Sequence, residues 1–269
     1  MSALLKTGTY FGRCAQAYSC SQAVLTEVAH SAARCLPEHS HERAYISLLI
    51  AGSYAEHVQG TEFSYRPMDA VFHPLGTPHR DIVGNNGARF VCVEFLQTDL
   101  AGEINAGGWR AQRLQADMAV LMLRLYQHWR AGTLCPATME SGICELLGTL
   151  GNSELKHERR LPPWLRECLD HIEAQYQTSI TVADLARQVD IHPVHLAREF
   201  RRRFGETLGE YVNRIRIKAA CRQLLGEKDT IVDAAMACGF YDHSHFLRVF
   251  KATVGCTPSS FQRSHRAAS

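Results

Sequence analysis

Two copies of His-Ser-His, His39–His41 in PEHSHERAY and His243–His245 in YDHSHFLRVF, carry the side chains best suited to hold a metal ion. Imidazole suits zinc and other borderline ions, but two rings share one ion only if the backbone turns them to one side. In a strand, residues i and i+2 project to the same face, so His39 and His41 converge. In a helix the same spacing separates them by about 200° around the axis, so His243 and His245 diverge. The element beneath each copy sets its chemistry.

The chain has 269 residues, 46% hydrophobic and 21% charged, enough for two modest domains with separate cores. The start, MSALLKTGTYFGRCAQAYS, lacks the apolar run of a signal peptide, and Arg124 interrupts AVLMLRLY, the nearest approach to a membrane span. A cytoplasmic location is expected. The ten cysteines include no Cys-x-x-Cys pair, so most are expected to be small buried hydrophobes, and the spacing of Cys14 and Cys20 is weak evidence for a redox pair. Charge is uneven. Residues 1–151 hold 11 Lys+Arg against 13 Asp+Glu (net −2), residues 152–162 hold 3 against 2, and residues 163–269 hold 15 against 12 (net +3). The basic C-terminal part permits nucleic-acid binding without demanding it.

From about 20 to 98 the pattern favours short strands: AYISLLIAGSYAEHV, FSYRPMDAVFHPLG and GARFVCVEFL, with a turn signal at Gly84–Gly87 (GNNG). Such strands suggest a small barrel or sandwich. Trp109–Arg130 then reads as a helix with Leu114, Met118, Leu121, Leu125 and Trp129 on one stripe, followed by a second helix, ATMESGICELLGTLG. Their apolar stripes need cover, from the barrel or from a second copy. NSELKHERRLPP reads as a linker, and everything after it as helical. Thr181–Asp184 and Thr230–Asp233 resemble capping boxes with Asp for Glu, and Gly205, Gly226, Gly239 and Gly255 stand where helices should stop.

The helical part repeats. HLAREFRRRFGETLGEY from His195 aligns with HFLRVFKATVGCTPSSF from His245, matching Leu196 to Phe246, Arg198 to Arg248, Phe200 to Phe250, Gly205 to Gly255, Thr207 to Thr257 and Tyr211 to Phe261. Upstream, DLARQVDIHP and DAAMACGFYD each read as a short helix and a tight turn. Helix, turn and a second helix with a basic face is a helix-turn-helix, whose second helix fits the major groove. Two units could reach successive groove faces about 34 Å apart. The segments LARQVDIHPVHLAREFRRRFG, YVNRIRIKAACRQLL and GFYDHSHFLRVFKATVGCTP make residues 164–266 resemble the DNA-binding domain of AraC-type transcription regulators. The resemblance implies seven helices, with a linker helix at about 207–225 joining two helix-turn-helix units. His192, His245 and Ala234 depart from the usual residues, at positions that touch packing and fine specificity.

On the first recognition helix (about 193–204), Leu196, Phe200 and Phe204 form the inward stripe, leaving Val194, His195, Ala197, Arg198, Arg201 and Arg202 outward. The resemblance implies base contacts at Val194, Ala197 and Arg198. The first two can only touch thymine methyls, and Arg198 supplies polar reading or a phosphate clamp. Arg201–Arg203 are expected on solvent or phosphate. On the second helix (about 243–254), Phe246, Val249 and Phe250 face the core. The resemblance points His243, Ser244, Leu247 and Arg248 at the groove, with Lys251 nearer the backbone.

HSHERAYISLLIAG followed by HPLGTPH resembles the two motifs of a cupin barrel, through His39, His41, Gly52, Pro74, Gly76 and His79. The Glu of metal-binding cupins is absent, with Tyr45 and Ile46 in its place, and the Asn of the second motif is off position. His39, His41 and His79 could form a three-histidine metal site, but the missing Glu weighs them toward lining an effector pocket, and no cofactor is expected. His73 is left out on strand parity.

The resulting expectation is an α+β, two-domain chain. Residues 1–151 form a cupin-like effector and dimerisation barrel with trailing helices, 152–162 a linker, and 163–269 an all-α tandem helix-turn-helix domain. Its function would be sequence-specific regulation of transcription on double-stranded promoter DNA. The partners implied are an unknown small-molecule effector, a second copy of the chain through about 109–151, and RNA polymerase if it activates. The alternatives are a metal-dependent cupin enzyme with a DNA-binding appendage and an effector-free binder. The absent carboxylate opposes the enzyme, and no nucleophile elbow, phosphate loop or dinucleotide fingerprint occurs.

Overall fold

The computed structural model describes residues 3–96, 112–114, 116–152, 161–226 and 230–266. The chain divides into two compact units, Met1–Leu147 and Gly148–Ser269.

In the first unit the strands are β1 (Ala3–Leu5), β2 (Arg13–Ser19), β3 (Ala23–His30), β4 (Arg34–Cys35), β5 (His39–His41), β6 (Tyr45–Val58), β7 (Thr61–Tyr65), β8 (Ala70–His73), β9 (His79–Phe95) and β10 (Gln112–Arg113). Among the described residues they form one curled sheet. Its spine is the antiparallel pair β6 and β9, running from Tyr45 opposite Glu94 to Val58 opposite His79. The sheet curls because each long strand changes partner along its length. β6 pairs β8 along its first part and β7 along its second. β9 pairs β5 and β4 first, then β3.

The change of partner falls at glycines. Between Val83 and Ala88, residues Gly84–Gly87 stand out of the β6 ladder, which slips between Gly52 and Tyr54. Gly52 (φ +83°) lies so close to Gly87 that a Cβ would sit 2.0 Å from its carbonyl oxygen, and a Cβ on Gly87 (φ +71°) would sit 2.2 Å from that of His30. Only glycine meets both the left-handed φ and the close approach. The expected turn at Gly84–Gly87 is thus a bulge, and β9 continues through it because β3 holds its far side. FSYRPMDAVFHPLG makes two strands, β7 and β8, while β1 and β2 lie ahead of the segment read as β-rich.

Helices α1 (Ala116–Arg130) and α2 (Pro136–Asn152) follow. Residues 109–111 of the expected helix lie outside the described residues, and Gln112–Arg113 pair as a strand with Phe72 and Val71. This corrects the helix start: the backbone groups of residues 112–113 satisfy the edge of β8 instead. α1 packs on β6 and β8, burying Met118, Ala119, Met122, Leu123, Leu125 and Tyr126. Leu121 and Trp129 of the expected stripe are half-buried instead. The cysteine expectation also fails, since Cys14, Cys35, Cys135 and Cys144 are exposed and only Cys92, Cys168, Cys221 and Cys238 are buried.

The second unit contains α3 (Pro163–Gln175), α4 (Val182–Gln188), α5 (Pro193–Phe204), α6 (Leu208–Leu225), α7 (Ile231–Ala237), α8 (His243–Val254) and α9 (Pro258–Arg266). Residues 153–160 of the expected linker lie outside the described residues, and Leu161 already belongs to a helical core. That core joins Leu165, Cys168 and Ile172 of α3 to Leu185 of α4, Leu196 and Phe200 of α5, and Leu208, Tyr211 and Val212 of α6. Farther along, α6 packs on α7, α8 and α9, where Phe240, Phe246, Phe250 and Phe261 meet edge to face in sequence at 5.1–5.6 Å. One helix therefore carries both halves of the repeat.

Candidate nucleic-acid interface and histidine pocket

α5 starts at Pro193, whose missing N–H costs nothing at a first turn. His192 caps it, Nδ1 accepting from the Val194 N–H at 3.3 Å. α8 starts the same way, with an Asp242 oxygen accepting from the Ser244 N–H at 2.9 Å. Gly205 (φ +72°) and Gly255 (φ +88°) end the two helices in left-handed caps. The turn before each helix also holds a left-handed residue, Asp190 (φ +53°) before α5 and Gly239 (φ +84°) before α8. The sequence reading missed Asp190. Asp tolerates this conformation, so the signal was its alignment with Gly239.

The two helices bury and expose matching positions. α5 buries Leu196 and Phe200, half-buries Phe204 and exposes Val194, Ala197, Arg198, Arg201 and Arg202. α8 buries Phe246, Phe250 and Val254, half-buries Val249 and exposes His243, Ser244, Leu247, Arg248 and Lys251. His195 is half-buried rather than outward: its ring leans on Trp164 at 5.9 Å, and its Nδ1 lies 3.4 Å from an Arg198 nitrogen. His245 likewise leans on Phe240 at 5.7 Å. Arg202 is forked on Glu199 at 3.0 and 2.7 Å, and Arg203 reaches the same carboxylate at 3.2 Å. Hydrogen bonds from Arg202, then Arg203, hold the Glu199 carboxyl down at about 2.

In the strand-rich unit, His39, His41 and His79 come together. β5 carries the first two, His79 opens β9 directly opposite His39, and one nitrogen from each ring lies within 4.8 Å of the others. All three are buried. His39 Nδ1 sits 3.0 Å from the Pro37 carbonyl and His79 Nδ1 2.9 Å from that of Thr77. A carbonyl only accepts, so both rings donate from Nδ1, which leaves Nε2 as the ring nitrogen that could ligate.

Tyr45 packs among the rings where the resemblance would have Glu. It stacks on His73 at 4.3 Å, tilts against His41 at 4.5 Å, and its hydroxyl lies 3.3 Å from His79 Nε2. Carboxylates arrive from elsewhere: Asp81 lies 3.7 Å from His39, Glu94 4.0 Å from His41 and Glu56 3.2 Å from His73. His73 therefore belongs to the cluster, against the expectation from strand parity. The loop Pro74–Pro78 separates it from His79, and strand parity has no meaning across a loop. Glu56 escaped notice for a related reason. Strict alternation turns Tyr45 and Glu56 to opposite faces, but the slips in β6 bring both to His73. A buried Glu in an apolar strand was the signal available.

Burial, with the neighbouring His79, His39 and His73 adding to it, pushes His41 down to about 2. Burial lowers His79 and raises Glu94 to about 7. For Glu56 burial acts upward, but His73, His79 and Tyr65 together bring it below its usual range. The cavity at the cluster measures about 40 Å³. That holds an ion or about one water, whose liquid volume is ~30 Å³, and is far below the ~300 Å³ at which organic-ligand pockets begin.

Two helix-turn-helix units on a shared helix define a DNA-binding domain of the tandem type. A helix-turn-helix domain family matches residues 185–264. The transcriptional activator AarP of Providencia stuartii is 31% identical over 109 residues, 40% of this chain and 81% of that protein. The uncharacterized regulator YijO of Escherichia coli is 26% identical over 141 residues, 52% of this chain and 48% of that protein. The solved structure of ToxT from Vibrio cholerae aligns over 91% of this chain and 100% of its own, at 14% identity and a TM-score of 0.40. The chain belongs to the AraC-type helix-turn-helix transcription regulators. It spans about half or less of the length of the first curated relatives it matches. Among the described residues no helix is long and apolar enough to cross a membrane.

Proposed function

We propose that this chain is a one-component, sequence-specific transcription regulator that grips double-stranded promoter DNA with α5 and α8. The observation that carries this reading is the matched exposure of the two helices, each with an arginine one position past an exposed small or apolar residue (Ala197–Arg198, Leu247–Arg248). In this reading Val194 and Ala197 touch thymine methyls, Arg198 and Arg248 read base edges, and His243, Ser244 and Lys251 complete the second contact. Residues 163–269 act as the seven-helix domain and residues 1–151 as a cupin-like regulatory domain that also pairs two copies. The occupant of the histidine pocket biases how the protein engages its operator and, at an activated promoter, RNA polymerase. No catalytic step is assigned to it.

Selection of bound sequences from a random DNA pool tests the proposal. Wild type should enrich a two-part site, and Arg198→Ala should lose base preference in one part, each bidentate arginine contact contributing about 1–3 kcal/mol of discrimination. An Arg198→Ala profile identical to wild type would remove Arg198 from the readout. Failure of wild type to enrich any site would overturn the reading itself.

A further inference from the structure

His79 belongs to two donor sets. One is the three-histidine set of the resemblance. The other is Glu56, His73 and His79, three buried side chains with one ligand atom each, all within 4.8 Å of one another. We propose that Glu56, His73 and His79 form a binding site for a divalent transition-metal ion of the zinc type.

The chemistry of the donors selects the ion. Two imidazoles and one carboxylate exclude magnesium and calcium, which take all-oxygen shells, and suit zinc, cobalt or iron(II). In a tetrahedral zinc shell, bonds of about 2.0–2.1 Å put donors roughly 3.4 Å apart, so a small side-chain contraction closes the set. Two of its atoms now lack what burial requires. Glu56 Oε1 and His73 Nδ1 are fully enclosed and face each other at 3.2 Å as an ion pair, but neither makes an aligned hydrogen bond. An ion between them would satisfy both. The third donor is prepared, because the Thr77 carbonyl holds the Nδ1–H of His79 and leaves Nε2 to ligate. Tyr45, its hydroxyl 3.3 Å from that Nε2, supplies an oxygen at the fourth position or a hydrogen bond to a bound water.

Charge favours this set over His39, His41 and His79. The three-histidine set has no carboxylate of its own, with Tyr45 where the resemblance would have Glu. Its neighbouring carboxylates, Asp81 and Glu94, stand 3.7 and 4.0 Å from His39 and His41 as outer partners. The Glu56 set brings a negative charge to the ion directly. The proposal does not depend on DNA binding, because ion uptake is read on the chain alone.

The test uses the full chain, purified without a histidine tag, stripped with chelator and titrated with zinc(II) and cobalt(II). Wild type should take up one ion per chain. Glu56→Gln and His73→Gln should weaken uptake by about 100-fold, whereas His39→Gln and His41→Gln should retain it within about tenfold. The reverse order would place the ion in the three-histidine set, and no uptake by wild type would leave Glu56 and His73 as an internal ion pair; either result overturns the proposal. Proton NMR of cobalt-loaded wild type needs no variant to fold. Two paramagnetically shifted exchangeable imidazole protons support the Glu56 set, and three refute it.

Discussion

Three arginines in a row, Arg201–Arg203, read alike as letters and differ in the folded helix. Arg201 is exposed, Arg202 is forked on Glu199, and Arg203 is half-buried against the same carboxylate. Glu199 thus ties up the Arg202 guanidinium. Glu199→Gln should release it to a phosphate, raising non-specific DNA affinity about threefold near 0.1 M salt and steepening the salt dependence by about one unit of log–log slope. A titration across salt concentrations checks both. Because the folded pKa of Glu199 lies below its ordinary value, the fork is fully present above pH 4.5 and is lost as pH falls through about 2. The wild-type and Glu199→Gln chains should therefore still differ at pH 5.

At the scale of elements, the caps separate by one methylene. In Thr207–Glu210 the carboxylate reaches back to the Thr207 N–H at 2.7 Å while the threonine oxygen accepts from the Glu210 N–H at 3.3 Å, a complete capping box. In Thr181–Asp184 and Thr230–Asp233 the shorter Asp instead takes the threonine hydroxyl proton at 2.6 Å, so these caps are one-way. Thr207→Ala should cost about 1 kcal/mol of helical-unit stability in urea unfolding, and because α6 serves both halves of the repeat it should weaken both DNA contacts. Two glycines give a second comparison. Gly205→Ala meets open space and only an unfavourable φ, about 1 kcal/mol. Gly52→Ala drives a Cβ into the Gly87 carbonyl and should cost on the order of 3 kcal/mol in the strand-rich unit.

For the whole molecule, the basic balance lies in one half of the chain, net +3 for residues 163–269 against −2 for residues 1–151. Lys251→Ala should weaken binding to all sequences alike and reduce the log–log salt slope by about one, while base preference stays unchanged. A loss of preference in Lys251→Ala would make Lys251 a base reader instead.

How much could be read in advance follows from distance along the chain. The ends of α5 and α8 were legible because caps, stripe and terminating glycine all lie within about fifteen residues, and the repeat spelled them twice. The second His-Ser-His, on α8, points its histidines apart: His243 is exposed and His245 leans on Phe240. The first converges on β5, as strand geometry requires. What joins His39 and His41 was only partly legible. His79 stood in a motif, with Asp81 two residues beyond it on β9, but Glu56, His73 and Glu94 lie past a loop or a bulge that resets the alternation of faces. Local periodicity thus determined the helical unit from sequence alone. The pocket's donor set depends on sheet register, and only the tertiary structure decided it, because register is fixed by glycine contacts between β3, β6 and β9 that no short window of sequence contains.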